Sequence, residues 1–238
     1  MARRLIETEY QQRGRTIQFH ANTTYENFIG GLAPTTSSGT LGFQFTPTKG
    51  YLTEAVERAR TSRGKYLLHI DEINRADLSK VLGEAIYLLE PDDLEGRAIE
   101  LPYEFEQPTG KRLALPENLH ILGTMNTSDL SLAIIDIAIR RRFAFTKLWP
   151  QISVVEGAGC DLAKEAFQQL LSIFVDYATE DAMELVPGHS YFLESNEEKA
   201  QRRLGTTLKP LLEDYLTQGY VSSFAEAVRS YLQWLDSQ

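Results

Sequence analysis

Two adjacent carboxylates, Asp71 and Glu72, directly follow the apolar run Tyr66–Ile70. Because such a run is typical of a buried parallel strand, the acids should lie at the carboxyl edge of a sheet, where open α/β sheets bind ligands. In a nucleotide-hydrolysing site, Asp71 would hold Mg²⁺, commonly through water, and Glu72 would orient and polarise the attacking water. Adjacent acids also occur in ordinary surface turns, so the pair alone leaves both interpretations open.

A second polar segment, Gly123–Asp129 with the sequence GTMNTSD, follows another apolar run, Leu119–Thr124. The amide of Asn126 at a strand end could hydrogen-bond a γ-phosphate or the attacking water without repelling either. Asn is also a common turn residue, and that interpretation stays open.

Three consecutive arginines, Arg140, Arg141 and Arg142, lie between a predicted short helix and a predicted strand. An arginine supplied across a subunit boundary can stabilise charge on a transferring phosphoryl group. The same residues could instead complement the dipole at a helix C-terminus.

Strand and helix signals alternate before residue 150, and helical signals dominate after it. Strands are predicted at Thr16–His20, Tyr66–Ile70, Leu119–Thr124 and Phe143–Leu148, with a hairpin over 94–115 and a loop over Ala33–Thr40. Helices are predicted at 1–12, Tyr51–Arg60, Leu78–Leu89, Ala133–Ile139, Asp161–Tyr177, Gly205–Leu216 and Ser222–Leu235. The pattern predicts an α/β domain with a mainly parallel sheet in residues 1–150, followed by a small helical domain in residues 151–238.

Composition and charge bear on whether the protein binds DNA or a membrane. The chain has 238 residues, a net charge of -9 and one cysteine, Cys160, and its pI is about 5.1. An acidic protein is poorly suited to neutralising DNA phosphates, so we expect contact with DNA only indirectly. The sequence offers no span of roughly 20 apolar residues and no secretory signal, so we expect no membrane association and a cytoplasmic location.

Taken together, the motifs resemble those of AAA+ proteins of the dynein-related/McrB branch. The runs IDEINRA (Ile70–Ala76), GTMNTSD (Gly123–Asp129) and IRRRF (Ile139–Phe143) have the order and spacing of that family's Walker B, sensor 1 and arginine-finger segments. GHSYF (Gly188–Phe192) in the helical part agrees as well. The resemblance covers roughly the whole chain and implies an AAA+ core followed by a helical lid domain.

The resemblance also implies residue roles. Asp71 would be the magnesium-associated acid, Glu72 the catalytic acid or base, and Asn126 the sensor 1 amide. Arg141 and Arg142 would be the fingers that act on a neighbouring subunit. Asp129 belongs to the family's MNxxDR motif, in which Leu130 here replaces the arginine.

His189 lies in the GHSYF segment, where it would either approach the nucleotide or have a structural role. His20, His69 and His120 fall in predicted strands and are expected to pack in the core or at strand ends. The substrate implied by the resemblance is GTP or ATP with Mg²⁺, in a homo-oligomeric ring with an McrC-like nuclease as a possible partner. The alternative is a non-hydrolysing ring subunit that acts as an interaction partner or arginine-finger donor.

One family motif has no match in these residues. The family places a strand and the loop G-x-x-x-x-G-K-[ST] before the first helix, and the 238 residues contain no such loop. We therefore expect a sheet missing its phosphate-loop strand, which would lie between the strands Leu119–Thr124 and Phe143–Leu148. A truncated product, a mis-assigned start and a split motor would each produce that sequence.

Overall fold

A computed structural model of the chain describes residues 2–36, 43–90, 96–126 and 135–238. The chain divides into two compact units, Met1–Phe145 and Thr146–Gln238, where the sequence placed the boundary at residue 150. The first unit is a mixed α/β structure and the second is helical, which confirms the predicted α/β class followed by a helical part.

The elements of the first unit follow one another in the order α1 (Ala2–Thr8), β1 (Gly14–Gln18), α2 (Tyr25–Phe28), β2 (Gly30–Thr36), β3 (Phe43–Lys49), α3 (Tyr51–Thr61), β4 (Tyr66–Asp71), α4 (Leu78–Leu82), β5 (Ile99–Glu100), β6 (Arg112–Leu113), β7 (Leu119–Gly123) and α5 (Ile137–Arg140). Short 3₁₀ helices follow β4 and α4, at Ile73–Arg75 and Gly83–Leu89.

The central sheet has the strand order β1–β4–β7, and both pairings are parallel. In β4 the first five residues are buried, as expected for a strand between two neighbours. Every residue of β7 is half-buried, and within the described residues β7 pairs only with β4. The carboxyl ends of the three strands therefore meet at one edge.

The core of the first unit packs α2, α3 and α4 against this sheet. Its largest fully buried side chains include Phe19, Phe28, Leu52, Leu68 and Leu101. Phe19 and Phe28 meet edge to face, with ring centroids 5.3 Å apart. Each such side chain contributes roughly 1.5–3 kcal/mol on burial, so the apolar residues of β4 hold the strand that carries the acids.

Two predicted elements differ from the structure, one in the first unit and one that spans the boundary between the two units. Residues 33–36 of the predicted loop Ala33–Thr40 lie in β2, which pairs antiparallel with β3, and residues 37–40 lie outside the described residues. The segment is rich in Pro, Thr and Ser, a composition typical of loops. In a two-stranded hairpin each strand has one unpaired edge, where proline, which has no N–H to donate, is tolerated. The predicted strand Phe143–Leu148 forms neither helix nor strand, because no described strand lies beside it to supply ladder hydrogen bonds.

Several element bounds differ from the predicted ones. The helix predicted over 1–12 ends at Thr8, because Gln11 and Gln12 adopt positive φ and turn the chain into β1. The helix predicted over Leu78–Leu89 becomes 3₁₀ from Gly83, whose φ is 50°. The strand predicted at Thr16–His20 is shifted to Gly14–Gln18.

The remaining elements of the first unit agree better with the sequence. The hairpin predicted over 94–115 is present as the β5–β6 pair, with residues 94 and 95 outside the description. The helix predicted at Ala133–Ile139 appears as α5, and residues 133 and 134 are likewise outside it.

The helices of the second unit are α6 (Ile152–Ala158), α7 (Asp161–Tyr177), α8 (Glu180–Met183), α9 (Glu197–Arg203), α10 (Lys209–Thr217) and α11 (Ala225–Asp236). The predicted bounds of α7 are confirmed, whereas α6, α8 and α9 were not predicted. A π-helical turn at Leu204–Leu208 joins α9 to α10, and 3₁₀ turns lie at His189–Phe192 and Ser222–Phe224.

An aromatic core holds the second unit together. Phe167 on α7 meets Phe192 with ring centroids 5.1 Å apart, and Phe174 meets Phe224 at 5.3 Å. The hydroxyl of buried Tyr231 donates to the carbonyl oxygen of Ala166 at 2.9 Å, so its polar atom is satisfied. Among the residues that the structure describes, no helix is long and apolar enough to cross a membrane.

Candidate active site

The turn after β4 is held by backbone hydrogen bonds on both sides. The carbonyl oxygen of Asp71 accepts from the amide of Phe19 at 2.9 Å, on the β1 side. The amide of Ile73 donates to the carbonyl oxygen of Thr124 at 2.9 Å, on the β7 side. Asp71 and Glu72 are thus fixed at the carboxyl edge of the sheet, as their position in the sequence predicts.

Glu72 adopts a left-handed backbone conformation, with φ 53° and ψ 46°. This region is uncommon for a residue other than glycine, and it costs on the order of 1–3 kcal/mol unless the surroundings enforce it. Here the hydrogen bonds of Asp71 and Ile73 enforce it from both sides. The side-chain Oε2 of Glu72 is buried and lies 3.2 Å from Nε of Arg75. Strain of this kind is typical of functional sites.

A chain of polar side chains crosses all three strands behind the acids. The hydroxyl of Thr124 lies 2.7 Å from Oδ1 of Asp71 and 3.0 Å from Nε2 of His69. Nδ1 of the same imidazole lies 3.3 Å from the hydroxyl of Thr16 on β1. Burial lowers the pKa of His69, outweighing the opposing effect of nearby Asp71. The ring therefore favours its uncharged form, and it connects two hydroxyls.

Asn126 lies just beyond the end of β7, and its side chain is exposed. Asn74, in the 3₁₀ turn after Glu72, donates from Nδ2 to the carbonyl oxygen of Asn126 at 3.4 Å. Asn74 itself is buried, and its Oδ1 has no hydrogen-bond partner in the described part of the chain. The structure thus brings Asn126 next to the turn that carries Asp71 and Glu72. Asp129 lies in 127–134, outside the described residues.

The three arginines have different surroundings. Arg140 lies over the ring of Phe145, with its guanidinium carbon 5.2 Å from the ring centroid, and Arg141 is exposed. The side chain of Arg142 is only 10% exposed; its Nη2 lies 3.3 Å from Oε2 of Glu90, and its Nη1 donates to the carbonyl oxygen of Ala138. Arg142 therefore fixes the end of α5, whereas Arg141 faces solvent.

His189 belongs to the second unit and begins the 3₁₀ turn His189–Phe192. Its Nδ1 is buried without a hydrogen-bond partner among the described residues. Within those residues, no group of three or more His, Cys, Asp or Glu side chains could hold a metal ion.

Sequence reasoning missed the polar residues that support the acids. Thr16, Thr124 and Asn74 were not singled out, and His69 was expected to be a core or strand-end residue. The available signal was a histidine in the middle of the apolar run Tyr66–Ile70, since a buried imidazole needs partners for its ring nitrogens. Which residues supply those partners depends on strand register, which adjacent sequence does not reveal.

The residues present fit a Mg²⁺–nucleotide complex. Asp71 provides an oxygen ligand of the kind that Mg²⁺ prefers, and a single carboxylate suffices where water and phosphate oxygens complete the coordination. Oε2 of Glu72 lies 3.2 Å from Nε of Arg75, and because a carboxylate can accept several hydrogen bonds, Glu72 can also accept from water. The carboxylates of Asp71 and Glu72 follow one another on one constrained turn.

Known proteins similar to this chain include two components of restriction enzymes. The "Type IV methyl-directed restriction enzyme EcoKMcrB subunit" of Escherichia coli (strain K12) is 34% identical over 223 residues, which are 86% of this chain and 47% of that protein. The "Type II restriction enzyme BsuMI component YdiS" of Bacillus subtilis (strain 168) is 28% identical over 118 residues, 45% of this chain and 34% of that protein. The chain spans less than half the length of each of these relatives.

Among solved structures, a putative ATPase from Cytophaga hutchinsonii aligns over 86% of this chain and 76% of its own, with 12% identity and a TM-score of 0.34. A likeness that weak carries no weight for function. The family is shown instead by the sequence, because the AAA domain of the dynein-related subfamily matches residues 1–143. The chain therefore belongs to the dynein-related subfamily of AAA domains.

Proposed function

We propose that this chain is the motor part of a magnesium-dependent nucleoside triphosphatase that hydrolyses GTP or ATP. The observation that carries the proposal is the constrained turn at the end of β4, where Asp71 and Glu72 are held between Phe19 and Thr124. The family of the chain and its 34% identity to a restriction-enzyme subunit support the same activity.

In this proposal, Asp71 holds the cation that accompanies the nucleotide. When bound, Mg²⁺ would offset negative charge on the phosphate oxygens. Glu72 would accept a hydrogen bond from the attacking water and orient its oxygen towards the γ-phosphorus. The left-handed conformation of Glu72 directs its carboxylate from the same short turn as Asp71, so the two groups act at one substrate.

Asn126 is proposed to hydrogen-bond the γ-phosphate or the attacking water, with its backbone positioned by Asn74. Asp129, in the same motif, is proposed to assist it. Arg141 is proposed to act on the nucleotide of a neighbouring subunit in a homo-oligomeric ring, because it is exposed. Arg142 would support it from the end of α5, through its contacts with Glu90 and Ala138. His189 is proposed to contact the nucleotide.

Two relatives named as restriction-enzyme components support a proposal for the biological context. We propose that the motor serves a restriction system, together with an McrC-like nuclease subunit. The net charge of -9 disfavours direct DNA binding, so contact with DNA would be made through the partner or another domain.

The test is phosphate release from GTP and from ATP by the protein expressed from its natural gene. Glu72→Gln keeps the size of the side chain and removes the carboxylate, so hydrolysis should fall at least about 100-fold, as for the loss of a general base. Glu84→Gln is the matched control, since Glu84 accepts from the hydroxyl of Tyr25 at 2.6 Å and lies on the 3₁₀ helix after α4. Equal rates for both variants and the wild type would refute the role of Glu72.

A second candidate function is that of a ring subunit that does not hydrolyse nucleotide but donates Arg141 to a neighbour. The exposure of Arg141 beside the anchored Arg142 favours it. Mixing Glu72→Gln protein with Arg141→Ala protein separates the two. If each chain both hydrolyses and donates, the mixture regains part of the activity that each variant lacks alone. If the chain only donates an arginine, Glu72→Gln has no effect on hydrolysis, and Arg141→Ala lowers hydrolysis by the intact partner subunit.

A further inference from the structure

The hydrogen-bond chain behind Asp71 can be assigned a direction. The hydroxyl of Thr124 donates to Oδ1 of Asp71 at 2.7 Å, and a hydroxyl has only one proton to donate. The Thr124 oxygen must then accept from Nε2 of His69 at 3.0 Å, which places the ring proton on Nε2. Nδ1 of the same ring lies 3.3 Å from the hydroxyl of Thr16, so both ring nitrogens have a hydroxyl within hydrogen-bond distance.

The three supporting residues lie on β1, on β4 and directly after β7. Thr16 lies on β1 directly opposite His69 on β4, and Thr124 follows the last residue of β7. His69 is 5% exposed, and both of its ring nitrogens are within hydrogen-bond distance of a hydroxyl. A buried apolar residue would satisfy the core equally well, and the imidazole adds a rigid connection that ends on the carboxylate.

We infer that Thr124, held by His69, is a positioning residue that fixes the orientation of the Asp71 carboxylate for a cation-bound nucleotide. The inference rests on the proposed function, because it assumes that Asp71 serves the cation. Anchoring Oδ1 to Thr124 removes rotation of the carboxylate and leaves its second oxygen outside this hydrogen-bond chain. Because the carboxylate is ordered before the ligand arrives, less freedom is lost on binding.

Thr124→Val and Thr124→Ser form the matched pair that tests it. Valine keeps the shape of threonine and removes the hydroxyl, whereas serine keeps the hydroxyl and removes a methyl group. Mn²⁺ affinity is measured by electron paramagnetic resonance with GTP and, separately, with ATP, on the protein expressed from its natural gene. Thr124→Val should weaken Mn²⁺–nucleotide binding about tenfold, as for one lost hydrogen bond to a charged group, and Thr124→Ser less than about twofold.

A spectroscopic measurement keeps the test independent of hydrolysis. The ring nitrogens of His69, resolved by NMR of ¹⁵N-histidine protein, should show a proton on Nε2 in the wild type and in Thr124→Ser. If Thr124→Val does not fold, the pair His69→Gln and His69→Leu replaces it. The terminal amide of glutamine can still donate to Thr124, and leucine cannot, so only leucine should weaken binding about tenfold.

A further variant, Asp71→Ala, distinguishes a failure of this inference from a failure of the proposed function. If Asp71→Ala abolishes Mn²⁺–nucleotide binding while Thr124→Val and Thr124→Ser bind like the wild type, the inference is wrong and the proposed function stands. If Asp71→Ala itself binds normally, the role of Asp71 is wrong, and the inference falls with it. Equal weakening by valine and serine, or a proton on Nδ1 rather than Nε2, would also overturn the inference.

Discussion

Arg142 and Arg141 are neighbours in sequence, yet the structure predicts opposite consequences for their removal. The Arg142 side chain is 10% exposed, lies 3.3 Å from Oε2 of Glu90 and donates to the carbonyl oxygen of Ala138. Arg142→Ala would leave the half-buried Glu90 carboxylate without its cation and the Ala138 carbonyl without its donor. Arg141 is exposed, so Arg141→Ala is the matched control.

The expected change in the free energy of unfolding follows from the burial of the Arg142 and Glu90 side chains. Breaking a fully buried ion pair costs roughly 3–5 kcal/mol, whereas exposed pairs contribute about 0–1 kcal/mol. The Glu90 side chain is 29% exposed, which places this pair between those limits. We expect Arg142→Ala to lower the free energy of unfolding by about 2 kcal/mol, and Arg141→Ala by less than about 0.5 kcal/mol.

Urea denaturation followed by far-ultraviolet circular dichroism measures both changes. The Arg142→Ala transition should move to lower urea with an unchanged slope, because the loss is in stability rather than in the surface exposed on unfolding. Equal midpoints for the two variants would refute the reasoning. In that case, the contacts of Arg142 would not be what holds the end of α5.

Two further predictions concern other parts of the chain. A Cβ added at Gly50 would lie 2.4 Å from the backbone carbonyl carbon of Phe28, so Gly50→Ala should lower the free energy of unfolding in urea by about 1–3 kcal/mol. A Cβ added at Gly205 would have nothing within 4 Å, so Gly205→Ala should be neutral or stabilising. Equal costs for the two variants would contradict the steric argument. Burial raises the pKa of Tyr215 from 10.0 to about 12. The folded state then keeps a proton that the unfolded chain loses, so the free energy of unfolding falls as pH rises from 10.0 to about 12. Tyr215→Phe should flatten that fall, and an unchanged alkaline slope would show that Tyr215 does not cause it.

Local sequence was sufficient to predict a strand or helix whose apolar residues lie in one continuous or regularly spaced run. The apolar run before Asp71 predicted β4, and the helical spacing of apolar residues predicted the bounds of α7. Both segments bury a continuous or regularly spaced apolar surface, which is the strongest local signal. The acids at the end of β4 could be placed at the sheet edge for the same reason.

Features that depend on a distant partner could not be predicted in this way. β2 and β3 consist mostly of Pro, Thr, Gly and Phe, and only their mutual pairing makes them strands. Residues 143–148 have an alternating pattern but lack a described strand beside them. The link from His69 to Asp71 through Thr124 depends on the register of β4 against β7, which neither strand encodes alone.

Equilibrium binding of labelled GTP and ATP in the presence of Mg²⁺ tests the proposed site most directly. The protein expressed from its natural gene is compared with Asp71→Ala and with Asp77→Ala, an acid whose side chain is 51% exposed and pairs with Lys80. We predict binding in the micromolar range, about −8 kcal/mol, that is lost in Asp71→Ala and kept in Asp77→Ala. Binding of the same strength by all three proteins would contradict the assignment of Asp71 to a nucleotide site.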